Sequence, residues 1–162
     1  MSKRPFNAYK NGEKHGRWFY FKDDTDWLQK RCTYKDGKLD GLCSESYENG
    51  RDRKTTDYKN GFPHGRCSEY YENGRLRESS AYKNGEKHGL CWEGYECGSV
   101  RKRYTYAQGE LHGAFEEYLP KSLGGEIANK GYYNMGEKCG EWIEDGQPVT
   151  YDSCPPDLEG GN

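Results

Sequence analysis

A pair of glycines four residues apart recurs at a spacing of about 24 residues, at Gly12/Gly16, Gly37/Gly41, Gly61/Gly65, Gly85/Gly89, Gly109/Gly113 and Gly136/Gly140. The first glycines of these pairs are 25, 24, 24, 24 and 27 residues apart, and three residues before each stands a tyrosine: Tyr9, Tyr34, Tyr58, Tyr82, Tyr106 and Tyr133. Self-similarity at a fixed period marks a repeat architecture, in which each unit is one small element packed on its neighbours. In the regular units a second turn signal follows 13 residues after the first glycine, at Asn49-Gly50, Asn73-Gly74 and Cys97-Gly98, and the next first glycine comes 11 residues later. Each unit therefore reads as two strands and two turns.

Asn-Gly and Asp-Gly dipeptides recur at Asn11-Gly12, Asp36-Gly37, Asn49-Gly50, Asn60-Gly61, Asn73-Gly74, Asn84-Gly85 and Asp145-Gly146. They favour type I′ hairpin turns, whose two central residues both need positive φ. Turns this frequent exclude helices and leave strands of about 8–10 residues. The predicted fold is all-β: an open, twisted antiparallel meander of about six tandem hairpins of 24 residues, in one elongated domain over 1–149. The remainder, 150–162, with Cys154-Pro155-Pro156 and Glu159-Gly160-Gly161, reads as a flexible tail.

A two-residue loop makes the numbers of facing residues sum to a constant. Around Asn73-Gly74 the sum is 147, which sets Tyr71 against Leu76, Cys67 against Ser80 and Gly65 against Tyr82. The same operation places Gly41 against Tyr58 and Gly89 against Tyr106, so these glycines and tyrosines are assigned to the repeat structure, a ring covering bare glycine backbone. It also pairs Glu45 with Lys54 and Glu93 with Lys102, but Glu69 with Glu78, where a bulge would change the register.

Only 31% of the residues are hydrophobic, against about 45–50% in ordinary domains. Ile occurs only at Ile127 and Ile143 and Val only at Val100 and Val149, beside 15 Tyr, 5 Phe and 4 Trp. A thick aliphatic core is excluded, and the buried material is expected to be mostly aromatic. This aromatic content also argues against disorder. The net charge of −2 supplies no global field for nucleic acid or an anionic membrane. The N-terminus has no apolar run suited to a signal peptide, and no segment approaches the ~18 apolar residues of a membrane helix. A soluble, cytoplasmic protein is expected, in a host cell or virion if viral, and the odd count of seven cysteines reads as thiols.

The unit Tyr-x-Asn-Gly-x-x-His-Gly-x-Cys-x-x-x-Tyr-x-Asn-Gly, carried by Tyr82-Lys83-Asn84-Gly85-Glu86-Lys87-His88-Gly89 and Tyr70-Tyr71-Glu72-Asn73-Gly74, resembles the MORN repeat family over residues 9–146. It is nearest to the bacterial-type variant of YwqK-like antitoxin proteins and giant DNA viruses. The resemblance implies a curved sheet of hairpins used as an interaction surface or spacer, with no catalytic residues. The pattern departs at Asp23-Asp24, where the second turn lacks glycine, and at the longer loop Leu119 to Gly125.

The chemically suggestive residues all follow the repeat. His15, His64, His88 and His112 precede the second glycine, and equivalent positions lie two strands, about 9.5 Å, apart, too far to share a metal. Cys43, Cys67 and Cys91 occupy the position of Trp18, Phe115 and Trp142, an apolar packing site, and the same spacing forbids disulfides among them. Cys32, Cys97, Cys139 and Cys154 lack metal-type spacing. Glu45, Glu69, Glu93 and Glu117 form a column that reads as solvated ion pairs rather than an acid–base couple. No cofactor, metal or catalytic residue is expected.

Tyr47, Tyr71 and Tyr95, with Arg53, Arg77 and Arg101 just after the second turns, are the candidate partner-binding residues, since Tyr and Arg concentrate binding energy. The reading is a non-enzymatic protein-interaction or structural scaffold. Its alternatives are an antitoxin-like neutraliser and a phosphoinositide- or phosphate-binding module built on the basic stripe. Another protein is the expected partner, a phosphoinositide or membrane surface the alternative; nucleic acid is not expected, and open sheet edges offer a route to oligomers.

Overall fold

In the computed structural model seven dipeptides of a non-glycine residue followed by glycine hold positive φ at both residues: Asn11-Gly12, Asp36-Gly37, Asn60-Gly61, Asn84-Gly85, Gln108-Gly109, Met135-Gly136 and Asp145-Gly146. Each is the two-residue loop of a hairpin. The structure describes residues 7–23 and 25–159; the start of the expected 1–149 domain, Asp24 of the Asp23-Asp24 turn and Gly160-Gly161 of the expected tail lie outside them.

The first strands are β1 (Tyr9–Lys10), β2 (Glu13–Lys14), β3 (Gly16–Phe21), β4 (Leu28–Lys35) and β5 (Lys38–Ser46). The middle ones are β6 (Asp52–Lys59), β7 (Phe62–Tyr70), β8 (Leu76–Lys83), β9 (Glu86–Lys87) and β10 (Gly89–Gly94). The last are β11 (Val100–Ala107), β12 (Glu110–Tyr118), β13 (Ile127–Asn134), β14 (Glu137–Glu144) and β15 (Gln147–Thr150), followed by the short helix α1 (Pro156–Glu159). Strands β3 to β15 make one 13-stranded sheet in chain order, with β9 pairing β8 beside β10, while β1 and β2 pair separately. The fold is the open antiparallel meander that the turn signals predict.

The second turns correct one expectation. Asn49 and Asn73 do not have positive φ; only Gly50 and Gly74 do. Tyr47 N–H donates to Arg51 O at 2.8 Å and Tyr71 N–H to Arg75 O at 2.8 Å, so each loop has three residues ending in a left-handed glycine. Asparagine is useful there because its Oδ1 accepts the N–H two residues on, at 3.0 Å in Arg51 and 2.9 Å in Arg75.

The extra loop residue is absorbed by a bulge. Glu69 faces Glu78, but Tyr70, not Tyr71, faces Leu76, leaving Arg77 as the unmatched residue. Arg53 and Arg101 are unmatched in the same way. Nearer the glycines the predicted partners stand: Gly41 with Tyr58, Gly65 with Tyr82 and Gly89 with Tyr106. On their other side these glycines lie in a wider irregularity, where Thr33 alone spans the gap facing Asp40, Gly41 and Leu42. Gly41 has φ 109° there, and a Cβ on it would stand 3.2 Å from that of Thr33. Backbone conformation and the preceding strand both demand glycine.

Among the described residues no second layer covers the sheet, and small buried side chains lie on both faces, Cys43 and Thr56 on one and Ser44 and Ser68 on the other. The buried hydrophobic residues are Trp18, Tyr104 and Trp142 together with Cys32, Cys43, Cys91, Cys139 and Cys154. The expectation of a mostly aromatic interior is thus corrected: aromatic rings gather at the two ends of the ribbon, and cysteine, threonine and serine fill its middle. At one end Trp18 meets Tyr9, Tyr20 and Tyr34; at the other Phe115, Tyr133 and Tyr151 surround Trp142. Such ring pairs contribute about 0.5–1.5 kcal/mol each beyond their area. An unsupported terminal hairpin has only one neighbour, and large rings give it more contact than a cysteine could.

Two further expectations change. Cys32 pairs with Cys43 and Cys139 with Cys154 as disulfides, so only Cys67, Cys91 and Cys97 are thiols. The spacing argument correctly separates Cys43, Cys67 and Cys91, but Cys32 is on the adjacent strand, directly opposite Cys43, with Cα atoms 3.9 Å apart. The sheet also continues past the expected boundary at 149: Thr150 ends β15, Tyr151 N–H donates to Gly140 O at 2.9 Å, and Gly140 N–H to Asp152 O at 2.7 Å. Among the described residues no helix is long and apolar enough to cross a membrane.

Candidate interaction surface

Strand alternation puts Lys30, Glu45, Lys54, Glu69, Glu78, Glu93, Lys102 and Glu117 in one row across the sheet, each facing the next. Signs alternate except in the middle, where Glu78 stands in the lysine position and three carboxylates adjoin. Each is compensated. Glu69 accepts from Lys54 at 2.9 Å and Arg77 at 2.9 Å; Glu78 from Ser80 at 2.8 Å and Lys87 at 3.2 Å; Glu93 from Tyr104 Oη at 3.0 Å, with Arg101 at 3.4 Å. The hydrogen bond from Lys54 holds the Glu69 carboxyl below its ordinary pKa and raises that of Lys54. A carboxyl stabilised as its anion is the opposite of a general acid.

Arg53, Arg77 and Arg101 thus have partners on their own hairpins, since Arg53 also meets Glu45, at 2.5 Å. The bulge supplies the geometry: an unmatched residue bends its strand and re-aims its side chain. The three arginines form the predicted row, but as ion pairs with the glutamate column, half exposed to solvent.

Tyr47, Tyr71 and Tyr95 are half-buried, and each hydroxyl donates to a carbonyl of the next repeat: Tyr70 O at 2.7 Å, Gly94 O at 2.9 Å and Tyr118 O at 2.8 Å. The neighbouring Asn49 Nδ2 donates to Glu72 O and Asn73 Nδ2 to Glu96 O, both at 3.1 Å. Arg51 and Arg75 reach those same carbonyls at 3.3 and 3.0 Å. These bonds make a spine along one end of the strands. Trp27 extends it backwards, its Nε1 donating to Tyr47 O at 2.9 Å. Sequence reasoning missed the spine, although the same residue types recurring 24 apart were its signal.

The opposite end has its own rungs. Gly37, Gly61, Gly85, Gly109 and Gly136 each donate their N–H to a carbonyl at the start of the strand that leaves the preceding turn, at 2.8–3.0 Å. Beside them His15 Nδ1 accepts from Asp36 N–H at 3.5 Å, His64 Nδ1 from Asn84 N–H at 3.3 Å and His112 Nδ1 from Met135 N–H at 3.4 Å. These three histidines connect one turn to the next. No group of three or more metal-ligating side chains occurs among the described residues. Of the three thiols, exposed Cys97 is drawn below its ordinary pKa, first by its contact with Ser99 Oγ, and takes the turn position of Asn49 and Asn73.

Neither family models nor curated proteins yield a match to this chain.

Proposed function

We propose that this chain is a non-enzymatic interaction scaffold built from MORN-like hairpins, with another protein as its partner. The observation that carries the reading is that the groups able to do chemistry are taken up between repeats. The hydroxyls of Tyr47, Tyr71 and Tyr95, the turn asparagines Asn49 and Asn73, nitrogens of His15, His64 and His112 and the ladder carboxylate of Glu69 bond to a neighbouring strand or turn. What such a ribbon offers is a long, stiff surface open on both faces, a form that repeat proteins use for holding extended partners. Neutralisation of Arg53, Arg77 and Arg101 by Glu45, Glu69 and Glu93 weighs against a phosphate-binding stripe.

The test is affinity capture from the source organism with the full chain as bait, quantified against a bait with reversed surface charges. A protein retained in near-stoichiometric amount by the natural chain and lost with the variant is the expected result. Retention of nothing above background, or turnover in a broad substrate screen, would overturn the reading.

A further inference from the structure

Two concavities on the first units meet at Arg31. One, of about 300 Å³, is lined by Arg17, Phe19, Arg31, Thr33, Leu42 and Ser44 and has no carboxylate in its wall. The other, of about 650 Å³, presents Trp27, Leu28 and Tyr70 beside Arg51, Asp26 and Asp52. Strand alternation puts Arg31, between Lys30 and Cys32, on the face away from the lysine–glutamate row.

Arg31 differs from the arginines of the bulges. Its Nε donates to Ser44 Oγ at 2.7 Å, and Ser44 is buried, so the guanidinium is held in place by a neutral group. Its Nη2 stands 4.0 Å from Asp52 Oδ1, beyond hydrogen-bond distance. Two guanidinium groups thus flank a hollow without carboxylates, and a fixed guanidinium suits a carboxylate, which it can meet with two parallel N–H bonds. In the larger hollow two aspartates offset Arg31 and Arg51, leaving the Trp27, Leu28 and Tyr70 surfaces as the distinguishing feature.

Resting on the interaction-scaffold reading, we infer that this groove binds an extended acidic peptide segment, with an Asp or Glu at Arg17 and Arg31 and an aromatic or large aliphatic side chain against Trp27, Leu28 and Tyr70. Leu28 and Thr33, one in each hollow, are on the same strand, so about five extended residues span the groove at ~3.3 Å each. The carboxylate and the apolar anchor therefore lie about four or five positions apart. The segment runs over a sheet face, so recognition is through side chains rather than by adding a strand.

Short random peptides displayed on phage, selected against the full chain, test this. The expected winners carry Asp or Glu at that separation from an aromatic residue. Their binding weakens about tenfold or more in Arg31→Ala and in Arg17→Glu, and is unchanged in Arg77→Ala. Arg17 is exposed, which keeps its variant informative if Arg31→Ala disturbs the fold. Winners that lose affinity with Arg77→Ala, or ignore both groove arginines, would overturn the groove while leaving the scaffold reading intact. No enrichment at all would likewise overturn the groove, while the scaffold reading is decided by the affinity capture.

Discussion

Replacing Tyr71 with phenylalanine removes one atom from the spine and leaves the ring in place. The hydroxyl donates to Gly94 O at 2.9 Å, and Gly94 is buried. A neutral hydrogen bond between protein groups contributes about 1 kcal/mol net, and leaving a buried carbonyl short of a donor raises the cost toward ~2 kcal/mol. With an m-value of about 2 kcal/mol/M, the urea midpoint should fall by about 0.5–1 M. Tyr47→Phe and Tyr95→Phe remove equivalent bonds at 2.7 and 2.8 Å. Successive tyrosines are two strands, about 9.5 Å, apart and share no partner, so the three losses should add to roughly 3–6 kcal/mol. Equilibrium urea unfolding, followed by far-ultraviolet circular dichroism, measures each variant, and amide exchange across β7 and β10 localises the loss. If every single variant kept its midpoint within about 0.1 M, the hydroxyls would not clamp the repeats and the argument would fail. The tyrosines would then be free to serve a partner.

Three other expectations follow from particular contacts. Glu69 carries a lowered pKa, so its contribution is complete above the unfolded value of about 4.3 and is lost as pH falls through the lower folded value. Glu69→Gln should lower stability at neutrality and flatten the acid limb, so that the variant and the natural chain converge at low pH; an unchanged acid limb refutes it. A Cβ on Gly131 would stand 2.2 Å from the Trp142 ring, so Gly131→Ala should cost about 3 kcal/mol and alter tryptophan fluorescence, an outcome excluded if both stay at natural values. Cys139–Cys154 closes a separation of 15 residues, and Cys154→Ser should lower stability by up to about 3 kcal/mol. Amide exchange should then rise at Gly140 and Tyr151 and not at Gly65; equal exchange at both places would contradict a local clasp.

Much of the architecture is legible in the residue order because turn chemistry is local. Positive φ at Asp36-Gly37 or Asn60-Gly61 needs no distant partner, and the period alone puts Gly65 beside Tyr82. The arginine row was legible for the same reason. Its partners were not, because whether Arg77 faces a residue or stands unmatched depends on both strands together. The groove at Arg31 gave no local sign: it needs β3, β4 and β5 side by side.

Cys32 marks the division. The sum rule around Asp36-Gly37 sets it opposite Gly41, yet the irregularity at that glycine moves the register by two and brings it to Cys43. The sequence by itself determined period, strand direction and turn sites, since these follow from backbone preferences of a few adjacent residues. Only the tertiary structure decided which side chains meet, because each extra residue on one strand shifts every pairing beyond it, and that count is settled when the neighbouring strands close together.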